Sequence, residues 1–406
     1  MVRPAGFPVP DHDVPVRTVG VEEELLVVDP SGVPVPHGPE ALEVASRRGE
    51  RETPDEHDRA VHDGAGPDGE GGRGDSPGHL VPELKRQQLE LGTRVCTDLA
   101  EVTGDLRYWR SRADAAARAV GARVAALASS PVAVEPVTTP GERYEEMAET
   151  FGLTALEQLT CGCHVHVSVA DDEEGVAVLD RIRIWLPVLT ALSVNSPFWL
   201  GRDSGYASFR SQSWNRWPSS GATELFGDAA TYHRVVADLV ATRTIVDAGM
   251  VYFDARLSQT WPTVEVRIAD VCLRVEDAVT HTGLVRGLVE TAAREWASGV
   301  PAPVVRSELV RVAAWRASRS GTTGELVHPL TGRPAPAADV VAGLLDHVTP
   351  ALEEAGDRPR VSEGVAAILA RGTGADLQRR VHRDTGDLTA VVRAAVQVTA
   401  GEELGG

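Results

Sequence analysis

Hydrophobic positions fall into two rhythms along the 406-residue chain. Leu99, Val102, Leu106, Trp109, Ala113, Ala116, Val120, Val124 and Leu127 recur every three or four residues, the spacing that lines one face of a helix. They predict a long amphipathic helix. Val279, Leu284 and Leu288 predict another over about 276–298. Segments near 303–318, 338–347, 361–371 and 386–399 make the C-terminal region mostly helical. Two-residue alternation, rich in valine, predicts strands at 16–29, 131–137, 163–169, 250–258 and 262–271. Strands and long helices mix without regular βαβ spacing, which gives an α+β fold with a mainly antiparallel sheet.

Two stretches break the pattern. Residues 1–15 read as a flexible tail, and 399–406 as another. Between Arg47 and His79, Gly, Asp, Glu, Arg and Pro replace almost everything apolar, so burial cannot repay the entropy of ordering. We read 47–79 as an acidic, Gly-rich surface insertion in a single domain spanning 16–398.

Composition then removes several kinds of chemistry. Acidic residues outnumber basic ones 59 to 40, for a formal charge of -19, so a nucleic-acid partner, which needs a basic face, is not expected. A small phosphorylated ligand stays open, because a few arginines and metal ions can meet its charge locally. Lys85 is the sole lysine and stands in Glu-Leu-Lys-Arg, so the Gly-Lys-Ser/Thr ending of a phosphate-binding P-loop is missing. The cysteines Cys96, Cys161, Cys163 and Cys272 are too few in so long a chain for a disulfide framework. The N-terminus lacks the apolar core of a signal peptide, and Ile184–Leu200 is interrupted by Pro187, Asn195 and Pro197. No membrane association is expected, and the protein reads as soluble and cytoplasmic.

Three predicted strands carry an unusual polar face. Glu22 and Glu24 lie two apart in Val19-Gly-Val-Glu-Glu-Glu-Leu25 and so point the same way. His164, His166 and Ser168 do the same in Cys163-His-Val-His-Val-Ser-Val169, opposite the valines. Glu265 and Arg267 oppose Val264, Val266 and Ile268 in the third. One wet face is ordinary for an antiparallel sheet, but Thr, Ser and Lys usually line it. Glu83 and Glu90, seven residues apart, would share a helix face two turns apart. So many carboxylates suit a hard divalent cation shared with substrate phosphates. A structural zinc in Cys161-Gly-Cys-His-Val-His166 is disfavoured, because on a strand the cysteines point away from the histidines. The segment 195–218 interleaves Trp199, Trp214 and Trp217 with Arg202, Arg210 and Arg216 among Gly, Ser and Pro. That composition suits a loop whose guanidinium forks grip carboxylate or phosphate, and equally a loop anchored by buried tryptophans.

Taken in order, Gly20-Val-Glu-Glu-Glu24, Cys161-Gly-Cys-His-Val-His166, Asn195-Ser-Pro-Phe-Trp199 with Gly205-Tyr-Ala-Ser-Phe-Arg210, and Thr263-Val-Glu-Val-Arg267 resemble the type 2 glutamate–cysteine ligase family, the bacterial carboxylate–amine ligases. Trp315-Arg-Ala-Ser-Arg-Ser-Gly321 extends the likeness, which runs from about 16 to 390. The resemblance implies a glutamine-synthetase-like fold: an antiparallel sheet curved into a funnel, with helices outside. It also implies the joining of a glutamate carboxylate to an amine, by default cysteine, with ATP split to ADP and phosphate through an acyl phosphate.

By the same resemblance, Glu22, Glu24, Glu83, Glu90, His164 and Glu265 are candidate Mg²⁺ ligands, and Arg210 and Arg267 candidate holders of the transferred phosphoryl group. His166, Tyr206, Trp214 and Trp217 are candidate pocket walls for ATP. Cys163 stands where the family usually has threonine, and a place on the apolar side predicts little effect. The expected partners are small molecules, glutamate with cysteine or another amine, and a homo-oligomer is compatible with the family. Two other classes stay in view: a metal-dependent hydrolase using the same Glu/His face to activate water, and a catalytically idle binding protein.

Overall fold

A computed structural model describes residues 16–50 and 78–404. Seven strands form the main sheet: β1 (Val19–Val28), β2 (His79–Val81), β3 (Gln88–Gly92), β4 (Arg123–Ala125), β5 (Gly162–Ser168) and, further on, β8 (Ala255–Leu257) and β9 (Thr263–Asp270). The hairpin β6 (Phe198–Trp199) and β7 (Arg202–Asp203) lies apart, as does the pair β10 (Glu325–Val327) and β11 (Pro334–Pro336). The spatial order is β2-β3-β1-β5-β9-β8, with β4 also on β1, and every pairing is antiparallel.

One side of the sheet is sealed by helices. Val19 and Val21 on β1, Val165 and Val167 on β5, and Val264 and Val266 on β9 are buried there. The helices Leu99–Ala119, Asp172–Ile182 and Val275–Ala297 pack behind these strands, and Ala337–Glu354 and Arg358–Arg371 pack on the last of them. Val275–Ala297 is therefore enclosed from two sides. Close approach requires Gly283, where a Cβ would meet Val361 Cγ2 at 2.5 Å and Leu99 Cδ1 at 2.9 Å.

The expected α+β class and antiparallel sheet are present, and several predicted boundaries move. The helix from Leu99 ends at Ala119; Gly121 turns the chain at φ +77°, and Val124 becomes part of β4. Residues 131–137 form no strand: Pro131 and Pro136 lack the N–H a ladder needs, and the segment is held by the Gln87 side chain instead. The region 250–258 contributes only Ala255–Leu257 to the sheet, after a 3₁₀ turn at Ala248–Met250.

Glu83 and Glu90 do not share a helix. The chain turns after Pro82, and Leu89 and Leu91 alternate with Gln88 and Glu90 on β3. The segment expected near 386–399 is the helix Leu388–Thr399, and the polar helix Gly374–Thr385 before it lies outside every expected segment. The tail 1–15 and residues 51–77 of the proposed insertion lie outside the described residues. Among the described helices none is long and apolar enough to cross a membrane.

Candidate active site

The polar face of the sheet gathers its side chains by register. Glu90 on β3 stands opposite Glu24 on β1. Glu22 stands opposite His164 on β5. His166 stands opposite Glu265 on β9, which in turn stands opposite Arg256 on β8. Five neighbouring strands thus bring acids, imidazoles and guanidiniums to one surface. Between Cys163 and Val165 the ladder is irregular: Arg267 and Ile268 together face His164. This bulge changes the alternation on β9, so Ala269, rather than the half-buried Ile268, continues the apolar face beside Cys163.

The geometry at Glu22 is chelate-like. His164 Nδ1 lies 3.3 Å from Glu22 Oε2, and His166 Nε2 3.3 Å from Glu22 Oε1. His166 Nδ1 is 2.9 Å from the Thr263 hydroxyl, which fixes the ring. Ligand atoms of Glu22, His166 and Glu265 all lie within 4.8 Å of one another. The Nε2 atoms of His164 and His166 are buried without a hydrogen-bond partner. Oxygens and an imidazole converging on one point, with ring nitrogens left over, fit a divalent cation.

Protonation differs across this surface. Burial works against charge on Glu22, yet His166 and His164 outweigh it and hold the carboxyl well below the usual carboxylate range. Burial also opposes charge on Glu265, where Arg256, Arg267 and His166 win and keep it ionised. Arg256 Nε donates to Glu265 Oε2 at 2.6 Å, and Arg267 Nη1 donates to Oε1. Burial and then the Glu83 charge push Glu24 up, although Gly162 N donates to its Oε2 at 2.7 Å. Glu90 is pushed up strongly by burial and then by Glu22, Glu83 and Glu24, and it shares a hydrogen bond with Glu83. The Glu83 carboxylate accepts from Leu84 N at 2.6 Å.

Arg210 opens the short helix Arg210–Trp214 and is buried, with its guanidinium against the carbonyls of Arg267 and Ile268 at 3.4 Å. Its Nε has no partner. A Cβ on Gly162 would lie 2.3 Å from Arg210 Nη2 and 3.0 Å from His164 Nε2, so only glycine leaves room for both. Behind Arg210, the buried Asp270 carboxylate accepts from Asn195 N and Ser196 Oγ at 2.7 Å and from Ser208 Oγ at 2.8 Å. Ser196 Oγ in turn accepts from Arg210 N at 3.0 Å.

The aromatic candidates separate. Trp214 is half-buried and lies under Arg210, whose guanidinium carbon is 5.6 Å from the ring centre. Trp217, expected as a pocket wall, is a core residue: it is 2% exposed and packed between Phe151 and Tyr252. Burial of tryptophan as an anchor, the other reading of that loop, holds for Trp217. Tyr206 packs on Phe209 and Trp315 with Arg319 over its ring, on the side of the helix Ser307–Ser320. No described hydrogen bond or ring contact joins it to the Glu/His surface. Cys163 is buried on the apolar side, as expected.

Sequence reading missed Arg256, Asp254 and Asp270. Arg256 lies on the short strand β8, and only its pairing with β9 sets it beside Glu265. Glu23 was also missed. It points to the opposite side of β1, where Arg110 Nε and Nη2 grip both of its oxygens at 2.7 Å in a fully buried pair.

The chain and its fold have counterparts among known proteins. Residues 18–394 match the model of the glutamate-cysteine ligase family 2. The chain is 50% identical over 387 residues to "Putative glutamate--cysteine ligase 2-1" of Paenarthrobacter aurescens, covering 95% of this chain and 96% of that protein. It is equally identical over 384 residues to "Putative glutamate--cysteine ligase 2" of Streptomyces coelicolor, at 95% and 99% coverage. Among solved structures, a glutamate–cysteine ligase from Francisella tularensis in complex with AMP superposes with a TM-score of 0.63 at 12% identity, over 95% of this chain and 89% of that one. A bifunctional glutathione synthetase from Pasteurella multocida gives 0.64 at 16% identity, over 95% of this chain and 52% of that longer one. These two show the fold. With the family model and both relatives covering nearly the whole chain, the chain belongs to the glutamate–cysteine ligase family 2, whose members are ligases that form carbon–nitrogen bonds.

Proposed function

We propose that the protein is an ATP- and Mg²⁺-dependent ligase that joins the side-chain carboxylate of glutamate to an amine, with cysteine as the family's default. The observation that carries this reading is the crowding of Glu22, Glu24, Glu83 and Glu90 on a surface that also presents Arg210 and Arg267. Acids that raise one another's proton affinity are short of positive charge. Glu22, Glu24, Glu83, Glu90, His164 and Glu265 would hold magnesium, with His166 able to join them. Bound there, the ion supplies charge neutralisation to the phosphate chain of ATP.

The remaining work falls to orientation and charge. Arg210 and Arg267 hold the phosphoryl group while the glutamate carboxylate attacks it, giving an acyl phosphate and ADP. The amine then displaces phosphate. No protein nucleophile is needed, and the buried, high-pKa thiols of Cys161 and Cys163 offer none. Trp214 orients Arg210, and His166 lines the pocket. Trp217 and Tyr206 stand outside this assignment. Dependence on ATP goes with a cytoplasmic location, and the ligase domain spans 16–398.

The test is ADP release by purified protein with ATP and Mg²⁺, across a panel of amino acids and amines. Release that requires glutamate and rises with one amine supports the reading. Release indifferent to glutamate and to every amine rejects it, and substrate turnover in nucleotide-free buffer would favour the hydrolase instead.

A further inference from the structure

One carboxylate on this surface, outside the acidic cluster of Glu24, Glu83 and Glu90, accepts no hydrogen bond among the described residues. Asp254 lies just before β8, where its N donates to Gly221 O at 3.1 Å and its carbonyl accepts from Arg267 N at 3.0 Å. The backbone is thereby held between two neighbours. The bond from Arg267 N carries the β8–β9 register one residue past the Ala255–Val266 pair, so Asp254 stands opposite Arg267, and the Arg210 charge reaches its carboxylate. Asp254 is half-buried, and among the described residues nothing donates a hydrogen bond to its carboxylate. Glu22 has two histidines, Glu24 a backbone N–H, Glu265 two guanidiniums and Asp270 three donors. An acceptor left open beside a reaction surface is available to a ligand.

We propose that Asp254 binds the ammonium group of the amine substrate and takes its proton before attack. The proposal rests on the ligase reading above. At neutral pH an amine such as that of cysteine is an ammonium ion with no lone pair to offer. Transfer of one proton breaks an N–H bond, forms the Asp254 O–H bond and frees the pair on nitrogen. That pair forms the C–N bond to the acyl carbon. The acyl C–O bond breaks, and phosphate leaves with its electrons and with the second nitrogen proton.

Burial raises the Asp254 carboxyl to about 6, with the Arg210 charge pulling the other way. A base near 6 is ionised at neutral pH yet holds a proton far better than an exposed aspartate. The charged and titratable groups on elements packed against it are Arg210, Arg256 and Tyr252, together with Glu265, Arg267 and Asp270 on β9.

Hydroxylamine separates this step from the rest, because it is uncharged at neutral pH and attacks an acyl phosphate without losing a proton first. The experiment compares wild-type protein, Asp254→Asn and Asp254→Glu in two assays with ATP, Mg²⁺ and glutamate: ADP release with cysteine, and hydroxamate formation with hydroxylamine. Asp254→Asn should lose at least about 100-fold in the cysteine assay and stay within about threefold of wild type with hydroxylamine. Asp254→Glu should recover part of the cysteine-dependent rate. Equal losses in both assays, no loss in either, or a glutamate variant no better than the asparagine one would overturn the proposal alone. Wild-type ADP release that ignores glutamate would remove the ligase reading, and this step with it.

Discussion

The β9–β8 end of the polar surface and its β3–β1 end solve opposite problems. At the first, Glu265 is gripped by Arg256 and Arg267, so its charge is met inside the protein. At the second, Glu24, Glu83 and Glu90 crowd together, and burial, then the charges of Glu22, Glu83 and Glu24, push the Glu90 carboxyl well above the usual carboxylate range. The first end is charge-balanced as folded, with Glu265 still placed beside Glu22 and His166 for a cation. The second becomes balanced only when positive charge arrives.

The sharpest way to break this comparison is to remove one acid from each end. Glu265→Gln leaves Arg256 and Arg267 buried without their counter-ion and should cost about 4 kcal/mol of stability in a denaturant titration. Glu90→Gln should leave stability unchanged or raised, because a repelling group has gone. It should nevertheless lower glutamate- and amine-dependent ADP release by about 100-fold. Similar melting behaviour in the two variants would abolish the distinction.

His281 provides a control in which burial acts with no opposing charge. It is buried in Val275–Ala297 with neither ring nitrogen bonded, and desolvation lowers its pKa from 6.5 to about 4. The folded protein therefore binds fewer protons here than the unfolded chain between pH 6.5 and 4, and stability falls as pH falls through that window. Comparing unfolding at pH 6.5 and 5, wild type should lose about 2 kcal/mol more than His281→Leu. A smaller effect is expected at Asp270. Asp270→Asn adds a donor where three donors already converge, which loosens the seating of Arg210. A roughly tenfold fall in kcat with little change in KM for glutamate is the expected result. The smallest is a rise of a few degrees in Tm on adding millimolar Mg²⁺, present in wild type and reduced in Glu90→Gln.

Much of this surface is legible in the sequence because its residues sit at two-residue spacing. Glu22 with Glu24, and His164 with His166, share a side by backbone geometry alone. Glu90 was misplaced on a helix because a seven-residue interval fits helical turns, while the alternation of Leu89 and Leu91 is the better local signal. Val124 continues the helical spacing past Gly121, and nothing local reveals that it belongs with β1. Asp270 depends on Asn195, Ser196 and Ser208, far away in the chain, and Asp254 and Arg256 on the pairing of β8 with β9, neither of which periodicity encodes. The bulge at Arg267–Ile268 is of the same kind: an irregularity created by pairing β5 with β9. Trp217 shows the limit of composition, since core anchors and ligand walls draw on the same residue type.

The pair behind the sheet has a bearing on redesign. Glu23 sits between Glu22 and Glu24, and Arg110 ties it to the carbonyls of Cys272 and Leu273 as well. A transplant of the acidic strand into an artificial barrel would need that hidden rivet on the reverse side, or its two outward carboxylates would drift out of step.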